Sequence, residues 1–229
     1  MEIHFSDNHH PIVQGILGYL ASGADYEEGR WKNTVSSNND YPHAPWWHTD
    51  SSSSSRSEFN PTAIIAGFIL KFADRGSKLY EQGMEIAQEL TDLFLHNPNL
   101  EMHPLKCFVT MADLIEQANV QNLFAFSKMQ EAANRQINQL ITRDSQEWNG
   151  YSCRPSVFIK SPDTPVYEQN KVLLDQELAY LLTRRNEAGV WDITWGWGSY
   201  DKEFAVSENW WKAEVIINNL LLLRAFRRL

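Results

Sequence analysis

Apolar residues recur every three or four positions along most of this 229-residue chain, and this spacing predicts a protein built almost entirely of α-helices. Proline, glycine or asparagine interrupts the spacing where helices begin or end. The predicted helices cover these residues: 12–21, 60–72, 77–96, 104–117, 120–142, 170–185 and 209–227. No segment shows convincing β-strand alternation, and the best candidate, 156–160, is short. The sequence therefore predicts an all-α fold.

The composition is typical of a globular protein with one hydrophobic core. Hydrophobic residues make up 43% of the chain and charged residues 21%, which excludes a disordered or collagen-like protein. A net charge of −9 argues against nucleic acid and anionic membranes as partners, and the longest apolar run, 216–223, is too short for a membrane span. Two cysteines and the lack of a signal-peptide pattern indicate a cytoplasmic protein. We predict a single domain over residues 1–229.

A long loop, residues 29–60, separates the first two predicted helices. It contains the string YPHAPWW, from Tyr41 to Trp47, and then a serine-rich run at 51–57. Loops of this length in compact domains are usually functional or disordered. We expect Tyr41–Trp47 to form a fixed platform and residues 51–56 to be more mobile than their flanks, as in a lid over a site.

A second loop, residues 189–208, contains the string WDITWGWGSYDKEF, in which small and polar residues separate three tryptophans. If the helices form a ring, the two aromatic loops meet at one of its ends. We therefore expect Trp46 or Trp47 to face a cavity together with Trp195 or Trp197.

A short pattern of residues occurs twice in the chain. It consists of an aromatic–aliphatic pair, a polar residue, a glycine and a tryptophan. The better copy is Tyr180-Leu181, Arg185, Gly189 and Trp191, and the looser copy is Tyr19-Leu20, Asp25, Gly29 and Trp31. Each copy predicts a helix end, a turn that glycine permits, and a tryptophan that folds back onto the helix.

This arrangement resembles the QW repeats of the squalene–hopene and oxidosqualene cyclases and the related turns of protein prenyltransferase β-subunits. The resemblance covers residues 178–229 and, more loosely, 10–74, with Arg185 and Asp25 where those repeats have glutamine. YPHAPWW followed by NPTA also resembles uncharacterised bacterial proteins of prenyltransferase-like fold. The resemblance implies a short α/α toroid of helical hairpins, with about seven main helices around a cavity.

The catalytic motifs of these families have no counterpart in the sequence. The chain contains neither DxDD nor DDxxD. The D-x-C pair that binds zinc in protein prenyltransferases is also missing, because Leu105 and Tyr151 stand two residues before Cys107 and Cys153. We therefore predict no cofactor and no metal.

His43, His48 and Asp50 lie close together in the first loop and have side chains that can ligate a metal. A metal site would need further ligands from elsewhere in the chain. The alternative is a structural role, with His43 packed between Pro42 and Trp46.

Cys107 has the spacing of a possible metal ligand, and Cys153 is a possible nucleophile. His103 and Cys107 are four residues apart on a predicted helix, which is a ligand spacing, although such pairs are more often part of a core. Cys153 stands beside Arg154, whose charge would favour a nucleophilic thiolate.

The aromatic loops indicate a binding site more strongly than any other feature. Tryptophan faces stabilise cations and bury flat or branched apolar ligands. The predicted substrate-binding residues are Tyr41, Trp46, Trp47, Tyr151, Arg154, Trp195, Trp197 and Trp210. The alternative is that tryptophans wedge the helical hairpins together, and we assign this structural role to Trp31 and Trp191.

A carboxyl surrounded by indole rings would be desolvated and its pKa raised, so that it could act as a general acid near neutral pH. The predicted catalytic residues are Glu147, Asp192, Asp50 and His43. The alternative is that these loop carboxylates only solubilise the surface.

These observations support three hypotheses for function. The first is a cyclase or isomerase that acts by acid catalysis on an apolar or isoprenoid-like small molecule. The second is a hydrolase or lyase for carbohydrates or natural products, in which Glu147 pairs with Asp192 or Asp50. The third is a ligand-binding or interaction protein without catalysis. In it, the apolar part of the last helix, 215–223, could pair with a second copy to form a homodimer.

Overall fold

The structure, a computed structural model, describes residues 7–50 and 58–229, and within them the fold is all-α, as predicted. The helices are α1 (Pro11–Ala21), α2 (Thr62–Phe72), α3 (Lys78–His96), α4 (Met102–Gln117), α5 (Phe126–Leu140), α6 (Tyr167–Thr183) and α7 (Asp201–Ala225). Two short strands, β1 (Tyr26–Glu27) and β2 (Arg30–Trp31), pair antiparallel. The arrangement of the helices as a toroid stays a prediction.

Capping side chains explain where two of the helices begin. Pro11 is the first residue of α1, and Nδ1 of His10 accepts a hydrogen bond from the backbone N–H of Ile12 at 3.2 Å. The hydroxyl of Ser77 accepts one from the N–H of Tyr80 at 3.1 Å and caps α3.

The last helix is longer than the sequence predicted. α7 begins at Asp201 and not near residue 209, so the second aromatic loop ends at Tyr200. Tyr200, the residue before the helix, has a left-handed backbone with φ of 57°. The carboxylates of Asp201 and Glu203 lie in the first turn, where they interact favourably with the positive end of the helix dipole.

One further helix boundary was predicted wrongly, and two short strands were missed. Residues 121–123 form a separate 3₁₀ turn, and α5 begins only at Phe126. The weak strand candidate at 156–160 is not a strand, and Pro155–Val157 form a 3₁₀ turn. The two-residue strands β1 and β2 were not predicted, because their pairing depends on a tight turn and not on apolar alternation.

The described chain divides into two compact units, and the division falls within α5. The N-terminal unit contains residues 7–35, 49–50 and 58–136. The C-terminal unit contains residues 36–48 and 137–229.

The core of the N-terminal unit forms where α2 packs against α3 and α4. Phe59, Phe94 and Phe108 make mutual ring contacts there, with the rings of Phe94 and Phe108 only 4.1 Å apart. At the edge of this unit, Arg30 forms ion pairs with Glu58 and Glu89, each at 2.8 Å. α2 approaches α4 closely because it presents a glycine, Gly67, to it.

Replacing Gly67 by alanine should destabilise the protein by about 1–3 kcal/mol. The added Cβ would lie 2.9 Å from Cα of Met111, so the backbone of α4 would have to move. Urea denaturation measures the change. Gly15→Ala in α1 is the control, because nothing lies within 4 Å of its Cβ, and it should leave stability unchanged or raise it by up to about 1 kcal/mol. Equal losses for the two variants would contradict this packing.

None of the helices in residues 7–50 and 58–229 is long and apolar enough to cross a membrane.

Candidate functional site

A cavity of about 350 Å³ lies within the C-terminal unit. Its walls come from the loop after α5, the end of α6, the loop that follows α6, and the middle of α7. The aromatic lining residues are Trp148, Tyr180, Trp191 and Trp195, and the charged ones are Arg154, Arg184, Arg185 and Asp192. The cavity therefore combines flat aromatic surfaces with an excess of positive charge.

The better copy of the repeated pattern builds one wall. Trp191 is buried, and its Nε1–H donates to the carbonyl of Leu181 at 2.8 Å, so the ring folds back onto the end of α6 as predicted. The guanidinium of Arg185 lies over the Trp191 ring at 4.9 Å. Gly189, with φ of 77°, makes the turn between them. Trp191 therefore has its predicted structural role and also lines the cavity.

The looser copy of the pattern belongs to the N-terminal unit and packs differently. Glu28 and Gly29 both have positive φ, which is the type I′ turn that joins short antiparallel strands. Trp31 is buried against Tyr26 at 4.7 Å, and its backbone N–H donates to the hydroxyl of Thr62 at 3.0 Å. The structural role of Trp31 is confirmed. Its contact is with Thr62 of α2, and not with the end of α1, the helix that precedes it in the repeated pattern.

A second aromatic pair fixes another wall. The Nε1–H of Trp148 donates to the carbonyl of Thr142 at 3.0 Å. The rings of Trp148 and Tyr180 make an edge-to-face contact, with their centroids 5.6 Å apart. The Tyr180 hydroxyl donates to Oδ1 of Asn149 at 2.8 Å. The guanidinium of Arg184 lies 5.8 Å over the Tyr180 ring. Contacts with other residues of the C-terminal unit therefore fix both rings.

Three of the predicted site residues line this cavity: Asp192, Arg154 and Trp195. Trp195 is partly exposed and makes an edge contact with Trp211 at 5.9 Å. One face of the second aromatic loop therefore reaches the cavity, as the sequence indicated.

The other predicted binding residues are not among its lining residues. Tyr41, Trp46 and Trp47 lie exposed on the first loop, so the predicted sharing of a cavity with Trp195 is wrong for this cavity. The remaining ones are Tyr151, which is 81% exposed, Trp197, which packs on Phe204 at 5.5 Å, and Trp210, which is 73% exposed. The predicted lid at 51–56 lies outside the described residues.

His43 and His48 form a pair in the C-terminal unit. Nε2 of His43 lies 3.1 Å from Nδ1 of His48, the rings stack at 5.3 Å, and Nδ1 of His43 faces the carbonyl of Tyr41. Both ring nitrogens of His43 are thus engaged within the loop. Asp50, in the other unit, is exposed. Within the described ranges, no group of three or more His, Cys, Asp or Glu residues could hold a metal ion.

The electrostatics of Asp192 differ from the prediction. Hydrogen bonds from Asn186, at 3.2 Å, and from Lys212, at 3.1 Å, hold the pKa of this carboxyl below its usual value. The predicted rise through desolvation is wrong for Asp192, which is ionised at neutral pH. Glu147, the other acid expected in this region, is exposed and is not a lining residue.

Glu177 is a buried acid that was not predicted from the sequence, and it contacts Arg154, a lining residue of the cavity. The side chain of Glu177 is fully buried, and it accepts hydrogen bonds from the backbone N–H of Ser156, at 2.7 Å, and from the Ser156 hydroxyl. Nε of Arg154 lies 3.5 Å from Oε1 of Glu177. Burial raises the pKa of this carboxyl, and these partners oppose the rise. Through this ion pair, Glu177 helps to position the side chain of Arg154 in the cavity wall.

The sequence does contain a signal for Glu177. Together with Leu174, Leu178 and Leu181 it occupies spacings of three and four on the buried face of α6. A carboxylate at an apolar position of an amphipathic helix requires donors from another segment. The sequence offers no means of identifying Ser156 as that donor.

Neither cysteine is activated. Burial, with a contribution from the charge of Glu177, raises the pKa of Cys153 to about 11, so the thiolate that Arg154 was expected to favour does not form near neutral pH. In the N-terminal unit, burial also raises the pKa of Cys107, whose thiol donates to Oδ1 of Asn60 at 3.5 Å. Burial lowers the pKa of nearby His103.

α7 carries apolar side chains on its exposed surface. Leu222 and Leu223 are buried, whereas Val206, Trp210 and Ile217 are exposed. A homodimer through this helix stays a prediction.

Comparison of the sequence and the structure with protein-family models, curated proteins and solved structures gives no match.

Proposed function

We propose that this chain binds a polar small molecule with a flat or cyclic part in the cavity of the C-terminal unit. The observation that carries the proposal is the composition of the walls, in which indole and phenol rings alternate with guanidinium groups. Ring faces favour flat or cyclic ligands, and a few fixed polar groups orient them. A cavity of about 350 Å³ suits a ligand of small-metabolite size.

The polar lining favours this proposal over an acid-catalysed reaction on an isoprenoid. A protonating cyclase needs an acid that keeps its proton at neutral pH. Asp192, the one carboxyl among the lining residues, is ionised, because Asn186 and Lys212 stabilise its charge. Three guanidinium groups also make the walls a poor match for a pure hydrocarbon.

A hydrolase with two carboxylates across a groove is likewise less favoured. It would require Glu147 or Asp50 beside Asp192. Neither Glu147 nor Asp50 is among the lining residues. A sugar ring stacked on Trp195 is one form of the proposed ligand, and this ligand would not be hydrolysed.

Binding is tested by titrating the purified protein with monosaccharides, oligosaccharides, nucleosides, small aromatic acids and alcohols, linear terpenes and prenyl diphosphates. The fluorescence of the nine tryptophans reports on binding, since three of them line the cavity. A ligand of the proposed class should change this fluorescence and raise the unfolding temperature.

Trp195→Ala should weaken binding of such a ligand by about fivefold or more, because it removes an exposed ring face from the cavity. Trp210→Ala is the matched control, because Trp210 lies on α7 but does not line the cavity, and it should leave the affinity unchanged. Equal effects of the two substitutions, or no binding across the panel, would overturn the proposal.

A further inference from the structure

Arg185 has an unusual environment for a charged side chain. Its Nε and Nη2 atoms are buried, and neither has a hydrogen-bond partner in the part of the chain that the structure describes. The contact that holds the guanidinium is the face of the Trp191 ring at 4.9 Å. The group also lines the cavity.

A buried donor without an acceptor carries a free-energy cost, and the cost is larger when the donor is charged. The stacking on Trp191 fixes the plane of the guanidinium but accepts none of its hydrogen bonds. Most guanidinium groups in such a position pair with a carboxylate or phosphate, often through two parallel hydrogen bonds. The acceptor for Arg185 is therefore expected to come from outside the described part of the chain.

The neighbouring charges also favour an anion. Arg184 lies on the ring of Tyr180, and the described residues provide no carboxylate partner for it. Asp192, which could have neutralised these groups, is paired with Lys212 at 3.1 Å. With three arginines and one aspartate, the lining has a formal charge of +2 in a chain of net charge −9. This is a local positive site in an acidic protein.

From this geometry we infer that the ligand carries an oxyanion, a carboxylate or a phosphate, and that Arg185 binds it while the ligand's ring stacks on the exposed indole of Trp195. The inference rests on the proposed function, because it names the chemical class of the ligand of the same cavity. Arg185 is then both the stacking partner of Trp191 and the group that selects the ligand.

The test compares matched probes on the full chain. Benzoate and phenyl phosphate are the anionic probes, and benzamide and phenol are their neutral counterparts. Arg185→Gln removes the charge but keeps a planar group that can stack on Trp191. Arg228→Gln is the control, because it removes the same charge from the same unit at an exposed ion pair with Asp175. Circular dichroism and thermal unfolding verify that both variants fold.

We expect the anionic probes to bind more tightly than the neutral ones, and Arg185→Gln to weaken them by about tenfold or more. The affinities of the neutral probes, and all affinities of Arg228→Gln, should be unchanged. Tighter binding of benzoate than of phenyl phosphate would assign the site to carboxylates, and the reverse order would assign it to phosphates. If Arg185→Gln is unfolded, Arg184→Gln replaces it, with a smaller loss expected in the same direction.

The outcomes separate this inference from the proposed function. If neutral and anionic probes bind equally well, or if Arg185→Gln binds anions as the wild type does, the cavity binds ligands but the inference is wrong. If no ligand of the wider panel and none of these probes binds, both the inference and the proposed function are wrong.

Discussion

Trp191→Ala should destabilise the protein by about 3–5 kcal/mol, the range for removing a large buried aromatic side chain. Only 4% of Trp191 is exposed, and its indole N–H donates to the carbonyl of Leu181. The substitution would also leave the guanidinium of Arg185 without the ring that supports it. Urea denaturation measures the loss, and ligand titration should show that binding falls as well.

Two further variants separate the causes. Trp191→Phe keeps most of the ring but loses the hydrogen bond to Leu181, so we expect a smaller loss, about 1–2 kcal/mol. Trp210→Ala, at an exposed tryptophan of the same unit, should change stability by no more than about 0.5 kcal/mol. Equal losses for Trp191→Ala and Trp210→Ala would contradict the packing described for the repeated pattern.

Glu177→Ala should destabilise the protein by about 3 kcal/mol, the scale for breaking a buried polar network. The substitution leaves the N–H and hydroxyl of Ser156 without their acceptor and removes the carboxylate behind Arg154. Glu177→Gln should cost less, because the amide oxygen can still accept from the Ser156 N–H. Denaturation of the three proteins at neutral pH gives the order of stability.

The stability of wild type relative to Glu177→Gln should depend on pH. Burial raises the pKa of Glu177 above its ordinary value of 4.5, so the folded state binds a proton more readily than the unfolded state. The contribution to stability is fully present below the unfolded pKa and is lost as pH rises through the folded pKa. The wild type should therefore gain stability relative to Glu177→Gln as pH falls from neutral toward about 4.5.

Glu187→Gln, at an exposed glutamate of the same unit, is the control for this pH dependence. Its stability should follow that of the wild type across the range. A constant difference between wild type and Glu177→Gln at all pH values would show that the carboxyl does not titrate differently in the folded protein.

Apolar periodicity was sufficient to predict the helices of the described residues, although not all of their ends. The failures lie where the local backbone conformation, and not apolar spacing, decides the structure. The start of α7 at Asp201 depends on a left-handed Tyr200, which no apolar spacing reveals. The β1–β2 hairpin depends on a two-residue turn at Glu28 and Gly29.

The candidate site was predicted only where its contacts join residues that are close together in the sequence. The repeated pattern placed Trp191 against the end of α6, because that contact is local in sequence. Trp46 and Trp47 were expected to face a cavity, and both proved to be exposed. Glu177 was missed because its donor, Ser156, lies 21 residues away along the chain. The sequence shows that Arg185 stands where the QW repeats have glutamine, but only the structure shows that its Nε and Nη2 atoms are buried without a hydrogen-bond partner among the described residues.

All the residues that line the cavity fall between Trp148 and Asn219, whereas Gly67 and the phenylalanine cluster belong to the other unit. Stability can therefore be changed by substitutions that do not touch the residues of the cavity. A variant that loosens the contact between α2 and α4 would lower the fraction of folded molecules, while each folded molecule keeps its dissociation constant. Substitutions in the N-terminal unit can thus change the stability of the protein without changing which ligand the cavity recognises.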